Sequence, residues 1–206
     1  MSPTAPVQQR AVATRQQILE IAARAFATHG YQGVSLNAII RESTVTKGAF
    51  YFHFASKEEL ALATFRSKQQ ELIERLTAEV GDQPDAASAL AAMIRARARL
   101  LDLDHSLRCV LTLGADLGAR AGPDSEYANY QQTAVELLAG LVRRGQHEGV
   151  FRSELDPRRA GESLFAAIIG SDVLSGILAQ GEDLIQRGED LIELVIEGLT
   201  INRKVP

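Results

Sequence analysis

One cysteine, Cys109, in a chain of 206 residues excludes an internal disulfide framework and a cysteine-based zinc site, and it fits a reducing compartment. Tryptophan is absent; the aromatics are seven phenylalanines and four tyrosines. No apolar run approaches the roughly 20 residues that span a bilayer. The longest resemble LFAAII, and the opening MSPTAPVQQRAVA lacks the apolar stretch of a signal peptide. A cytoplasmic setting with no membrane partner is therefore expected. Also missing are G-x-S-x-G, a P-loop and H-E-x-x-H. His105 and Cys109 stand four residues apart, but a lone cysteine more often packs as a small hydrophobe. Asp116, His147 and Asp172 are scattered without metal-ligand spacing. No catalytic residue, metal site or cofactor is expected, and the chain does not read as an enzyme.

Hydrophobic residues make up 46% of the chain, enough to build one or two compact units. The net charge of −4 hides an asymmetry. Residues 1–54 hold Arg10, Arg15, Arg24, Arg41 and Lys47 against Glu20 and Glu42, a net +3, which leaves −7 on residues 55–206. A basic head on an acidic body suits a head that meets phosphate.

The periodicity is helical almost throughout, with no alternating strand pattern of useful length. An all-α fold is expected. The first helix should start after Thr14, carry Ile18, Ile21, Ala22, Ala25 and Phe26 as one stripe, and stop at Gly30. A short helix capped by Ser35 and another over 45–54 follow, the outline of a helix-turn-helix. Ser56 and Glu59 form a capping box for a long helix to about Val80. GDQPD breaks the chain at 81–85, and helical segments are expected at 85–101, 105–120, 124–147, 157–179 and 183–202. The domain reading is a flexible arm at 1–13, a helix-turn-helix head at 14–60 and a helical body at 61–206.

Four of the aromatics, Phe50, Tyr51, Phe52 and Phe54, crowd into five positions of TVTKGAFYFHFASKEEL. At about 100° per residue, Phe50 and Phe54 share an inner stripe while Phe52 and Gly48 face away, flanked by Lys47 and Tyr51. That outer face has what a major-groove helix needs. Thr46 and Tyr51 supply hydroxyls, Lys47 a cation, Gly48 and Ala49 clearance, and Phe52 an apolar surface for thymine methyls or sugar. Lys57 and the free N–H groups of the next helix make a second phosphate site.

The stretch HGYQGVSLNAIIRESTVTKGAFYFHFASKEEL resembles the DNA-binding signature of the TetR-type transcriptional repressors, strongly over residues 12–62 and beyond that in helix layout. The resemblance implies a recognition helix at about 46–53, with Lys47, Gly48 and Ala49 facing bases and Ser35, Thr46, Tyr51, His53 and Lys57 holding phosphates. It also implies a homodimer on palindromic double-stranded DNA and a small-molecule effector. One departure is Thr44, where many members have glycine; a β-branched residue strains a left-handed turn, so an altered turn is expected. TKGAFYFHFASKEELA is similar to the γ-butyrolactone autoregulator receptors, which implies a lactone, butenolide or furan signal. Members of that subgroup typically carry a pocket tryptophan; here Tyr130 aligns with it.

In the body, polar groups interrupt apolar helix faces, as small-molecule sites require. Thr112 and Asp116 lie beside Leu111, Ser171 and Asp172 follow Phe165 and Ile168, and Tyr127 and Tyr130 open another helix. Lys68 and Gln69, on the helix leaving the head, are expected to meet the same cavity, with that helix as the lever between effector and DNA. The apolar faces of the last two helices, with Leu164, Ile168, Ile169 and Leu174 on one and Leu184, Leu191, Leu194, Val195 and Leu199 on the other, suit an intrachain core or a homodimeric four-helix interface. The rival reading is a helical small-molecule carrier or enzyme with a vestigial DNA-binding head.

Overall fold

In a computed structural model, described over residues 4–81, 83–122 and 124–200, helices dominate. Among the described residues the extended pairing is a lone antiparallel bridge between Phe151 and Thr200. Packing divides the chain into two compact units: residues to Gln70 with His105–Tyr127, and Glu71–Asp104 with the residues from Ala128 onward.

In the first unit, α1 (Thr4–Gly33) buries Ile18, Leu19, Ile21, Ala22 and Phe26. It begins ten residues before the expected Thr14 cap. Residues 4–13, read from sequence as a flexible arm, continue the helix. Their Gln, Arg and Ala favour it, and Pro6 sits in the first turn, where no N–H is required. The expected stop is present as a break, since Gly30 has φ 65° and ψ 176° and one further turn follows it.

Helix α2 (Leu36–Ser43) is capped by Ser35, and α3 (Lys47–His53) by Thr46. Between them Thr44 adopts φ 56°, ψ 10°. The turn therefore keeps a left-handed shape instead of changing to suit the threonine, and the β-branched side chain carries the strain. Thr44→Gly is expected to stabilise the fold by about 1 kcal/mol, raising a thermal midpoint by roughly 2–4 °C in calorimetry. Helix α4 (Lys57–Gly81) opens on the Ser56–Glu59 capping box: Glu59 N–H donates to Ser56 Oγ at 3.0 Å, and Ala55 N–H to Glu59 Oε2 at 2.8 Å.

The region 105–120, expected as one helix, is a 3-10 turn (His105–Arg108), α6 (Cys109–Leu113), a π turn (Gly114–Gly118) and the short α7 (Ala119–Ala121). Gly114 and Gly118, each about 1 kcal/mol worse than alanine in a helix, weaken the α register there. This stretch packs on α1, burying Leu107, Cys109, Val110 and Leu113. Thr112 Oγ1 donates to the Phe26 carbonyl at 3.0 Å. Those contacts are why it belongs with the head rather than with the body expected from residue 61 onward.

The second unit contains α5 (Ala86–Leu103), most of α8 (Glu126–His147), α9 (Pro157–Ala179) and α10 (Leu184–Leu199). Asp156 caps α9, accepting from Arg159 N–H at 2.8 Å, with Pro157 at the first helical position. A side chain at Gly161 would place its Cβ 2.9 Å from both Val135 O and Ala139 N, so glycine is what lets α8 and α9 approach. Leu164 and Ile168 of α9 and Leu184, Ile192 and Leu199 of α10 point inward. Val173, Leu174, Ile177 and Leu178 of α9 and Ile185 and Leu194 of α10 are exposed. By length and composition α9 would suffice to cross a membrane, which its short apolar runs did not signal.

Candidate nucleic-acid interface

Helical phase settles the crowded aromatics. Phe50 and Phe54 are 0% and 1% exposed, whereas Phe52 is 80% and Tyr51 42% exposed. The inner pair packs at a tilt of 53° with ring centroids 6.1 Å apart, and the Arg15 guanidinium lies 5.1 Å from the Phe54 centroid. On the outer face Phe52 meets His53 edge-on at 5.1 Å, and Tyr51 leans on Phe50 at 5.7 Å. Burying the inner rings fixes which side of α3 is presented.

Thr46, Lys47 and Gly48 are exposed, and Ala49 and His53 half-exposed. A Cβ at Gly48 would meet no described atom within 4 Å, and its backbone needs no positive φ. Packing in this chain therefore gives no reason for a residue that weakens a helix by about 1 kcal/mol.

The hydroxyls have one role each already. Ser35 Oγ accepts from Ala38 N–H and Thr46 Oγ1 from Ala49 N–H, both at 3.2 Å. As acceptors they retain their hydroxyl hydrogens, which can donate to a phosphate oxygen. Lys57 heads α4 with its Nζ 4.2 Å from the Tyr31 ring centroid, an ammonium held over an aromatic face. Burial, then the Glu58 carboxylate, raise the Tyr31 phenol above its ordinary pKa, with Arg120 opposing, so the ring stays neutral at physiological pH.

The effector candidates fall into both units. In the first, Lys68 is buried with Nζ 2.8 Å from Glu20 Oε1. Gln69 is 4% exposed, and its Oε1 has no hydrogen-bond partner among the described residues. Tyr127 is buried against Phe65 at 4.8 Å, and burial pushes its phenol up to about 12. Leu111 is half-buried. Thr112 and Asp116 both reach α1, Asp116 Oδ2 accepting from Tyr31 N–H at 2.8 Å.

In the second unit Tyr130 and Phe165 are half-buried. Ile168, Ser171 and Asp172 gather with Arg97 around about 10 Å³ of open space, room for one water. Arg97 Nε donates to Asp172 Oδ2 at 2.9 Å, with Nη2 2.8 Å from the same oxygen. Sequence reading missed Arg97, although a signal was present. Leu90, Ile94, Arg97 and Leu101 share one buried stripe of α5, and a cation there demands a counter-ion. Among the described residues no three His, Cys, Asp or Glu side chains gather as a metal site, and Cys109 is buried.

The family described as "Bacterial regulatory proteins, tetR family" matches residues 18–64, which include all of α2 and α3. The fatty acid metabolism regulator protein of Bacillus subtilis is 26% identical over 186 residues, covering 89% of this chain and 94% of that one. The A-factor receptor protein of Streptomyces griseus is 26% identical over 82% of this chain and 57% of its own length. The solved structure of TylP, a TetR regulator from Streptomyces fradiae, superposes with a TM-score of 0.71 at 30% identity, over 94% of this chain and 89% of that one.

Proposed function

Because the chain belongs to the TetR family of bacterial transcriptional regulators, we propose that it acts as a cytoplasmic homodimeric repressor, released from a palindromic operator by a small-molecule effector. The observation that carries this reading is the two-sided α3. Its phenylalanines anchor it in the head while Lys47, Gly48 and Ala49 face outward to read bases, with Phe52 against thymine methyls. Ser35, Thr46, Tyr51, His53 and Lys57 hold the flanking phosphates. Seven residues of α3 read few base pairs, so two heads on a two-fold site supply the specificity. The second copy is received by the exposed apolar face of α9 and α10, whose character matches homodimer interfaces.

The effector reading is a lactone, butenolide or furan, supported by the likeness to the A-factor receptor. Its contacts are proposed at Lys68, Gln69, Leu111, Thr112, Asp116 and Tyr127 in the first unit. Tyr130 and Phe165 are proposed in the second, where Ile168, Ser171 and Asp172 enclose room for one water and not for an effector. Gln69 is the strongest of these, because a buried acceptor without a partner costs about 1–3 kcal/mol and rewards an incoming donor.

Lys47→Ala combined with Tyr51→Phe removes a cation and a hydroxyl from each half-site without touching the buried rings. Affinity for a duplex selected from a random pool should fall at least about 100-fold, with the melting temperature unchanged. Equal affinity in fluorescence anisotropy would instead favour a helical carrier or enzyme with a vestigial head.

A further inference from the structure

Asp116 is bonded to the head through α1. At Gly30 the helix breaks, and the amide of the next residue, Tyr31, donates to Asp116 Oδ2 at 2.8 Å. A Cβ at Gly30 would lie 3.2 Å from that same oxygen, so glycine serves both the positive φ and the close approach of the carboxylate. Asp116 sits in the middle of the π turn Gly114–Gly118, an irregularity of the kind that concentrates at functional sites. The turn is tied to α1 upstream as well, through Thr112 to the Phe26 carbonyl at 3.0 Å and through His105 Nε2 to Thr28 Oγ1 at 3.0 Å.

Tyr31 is the other end of this link. Its buried ring stacks on Phe26 with centroids 6.2 Å apart, and the Lys57 ammonium lies 4.2 Å from its centroid. The Lys57 ammonium and the Asp116 carboxylate thus meet the same residue, one at its ring and the other at its amide.

We propose that Asp116 is a positioning residue for the Lys57 phosphate contact: by holding the Tyr31 amide it fixes the ring on which the lysine ammonium is seated. Operator affinity is thereby set in part by the π turn, through a carboxylate that never meets DNA. This inference rests on the reading of the head as DNA-binding.

The test uses the full chain and a fluorescent duplex that the unaltered protein selects from a random pool. Asp116→Ala should weaken binding about tenfold, the effect of losing a hydrogen bond to a charged group. It should also lower the slope of log affinity against log salt by about one per protomer, as loss of a phosphate contact does. Asp116→Asn keeps an acceptor oxygen and should restore affinity to within about twofold of the original. In a Lys57→Ala background, Asp116→Ala should have no further effect, because the contact it positions is already gone. Additive losses in that cycle, or a tenfold loss with an unaltered salt slope, reduce Asp116 to a structural brace and overturn the inference alone. Should Asp116→Ala fail to fold, Asp116→Ser, polar but too short to reach Tyr31, carries the same cycle. A chain that selects no duplex overturns the DNA-binding reading together with this one.

Discussion

Aspartate substituted for both Ile177 and Leu178 is expected to leave a folded monomer whose operator affinity is lower by at least about 1,000-fold, the gap between specific and non-specific binding. The two side chains are 70% and 69% exposed in the single chain. Charging them costs the fold of one protomer little, so an effect on association is cleanly separated from an effect on folding. In the proposed dimer the same residues come together with Val173 and Leu174 across a two-fold axis, and four carboxylates would have to leave water. Each unpaired charge costs several kcal/mol, and four together exceed the roughly 8–12 kcal/mol that an interface of micromolar to nanomolar affinity returns. Losing the dimer also separates the two heads, and each remaining head keeps little beyond its phosphate attraction. Sedimentation should show one protomer, far-UV circular dichroism an unaltered helix content, and anisotropy the lost affinity. Persistence of a dimer with full operator affinity would place the interface on another surface.

What the sequence made legible follows from how local each signal is. The sides of α3 were readable because the phase of a helix is fixed by spacing alone, and Phe50 and Phe54 against Phe52 needed nothing else. The Ser56–Glu59 box and the Asp156–Pro157 cap were readable for the same reason, since both partners lie within one turn. Thr44 was misjudged because the fold imposes the left-handed turn whatever residue occupies it. The strain of one residue is small beside the burial of Ile39 and Phe50 on either side.

The division of the chain was hidden for a different reason. Nothing in CVLTLGADLG announces that Thr112 and Asp116 bond to a helix some 85 residues earlier, because the partners are backbone groups with no sequence signature. Both residues were singled out as polar interruptions of an apolar face. In the structure that polarity is spent, at least in part, on Phe26 and Tyr31. The same polar interruption can serve a ligand or the fold, and geometry is what separates the two.

Asp172 is the place where that distinction has the largest consequence for stability. Asp172→Ala is expected to destabilise the protein by about 3–5 kcal/mol, because it strands the Arg97 guanidinium in the interior. The pair is buried on both sides, with side chains 10% and 9% exposed, and arginine cannot escape by losing its proton. Both nitrogens within reach converge on Asp172 Oδ2, and the adjoining space admits a single water at most. Beyond that one water, no second carboxylate among the lining residues stands ready to replace the lost charge. Removing both charges should cost far less. Arg97→Met with Asp172→Leu refills the volume with apolar atoms and is expected to lie within about 1–2 kcal/mol of the original, since a buried pair contributes little net stability over hydrophobic neighbours. Urea unfolding at fixed protomer concentration measures both. If Asp172 instead serves mainly as an effector contact, Asp172→Ala leaves the unfolding midpoint in place and alters only the ligand response. A single substitution costing less than the double one would show that the pair does not hold α5 to α9.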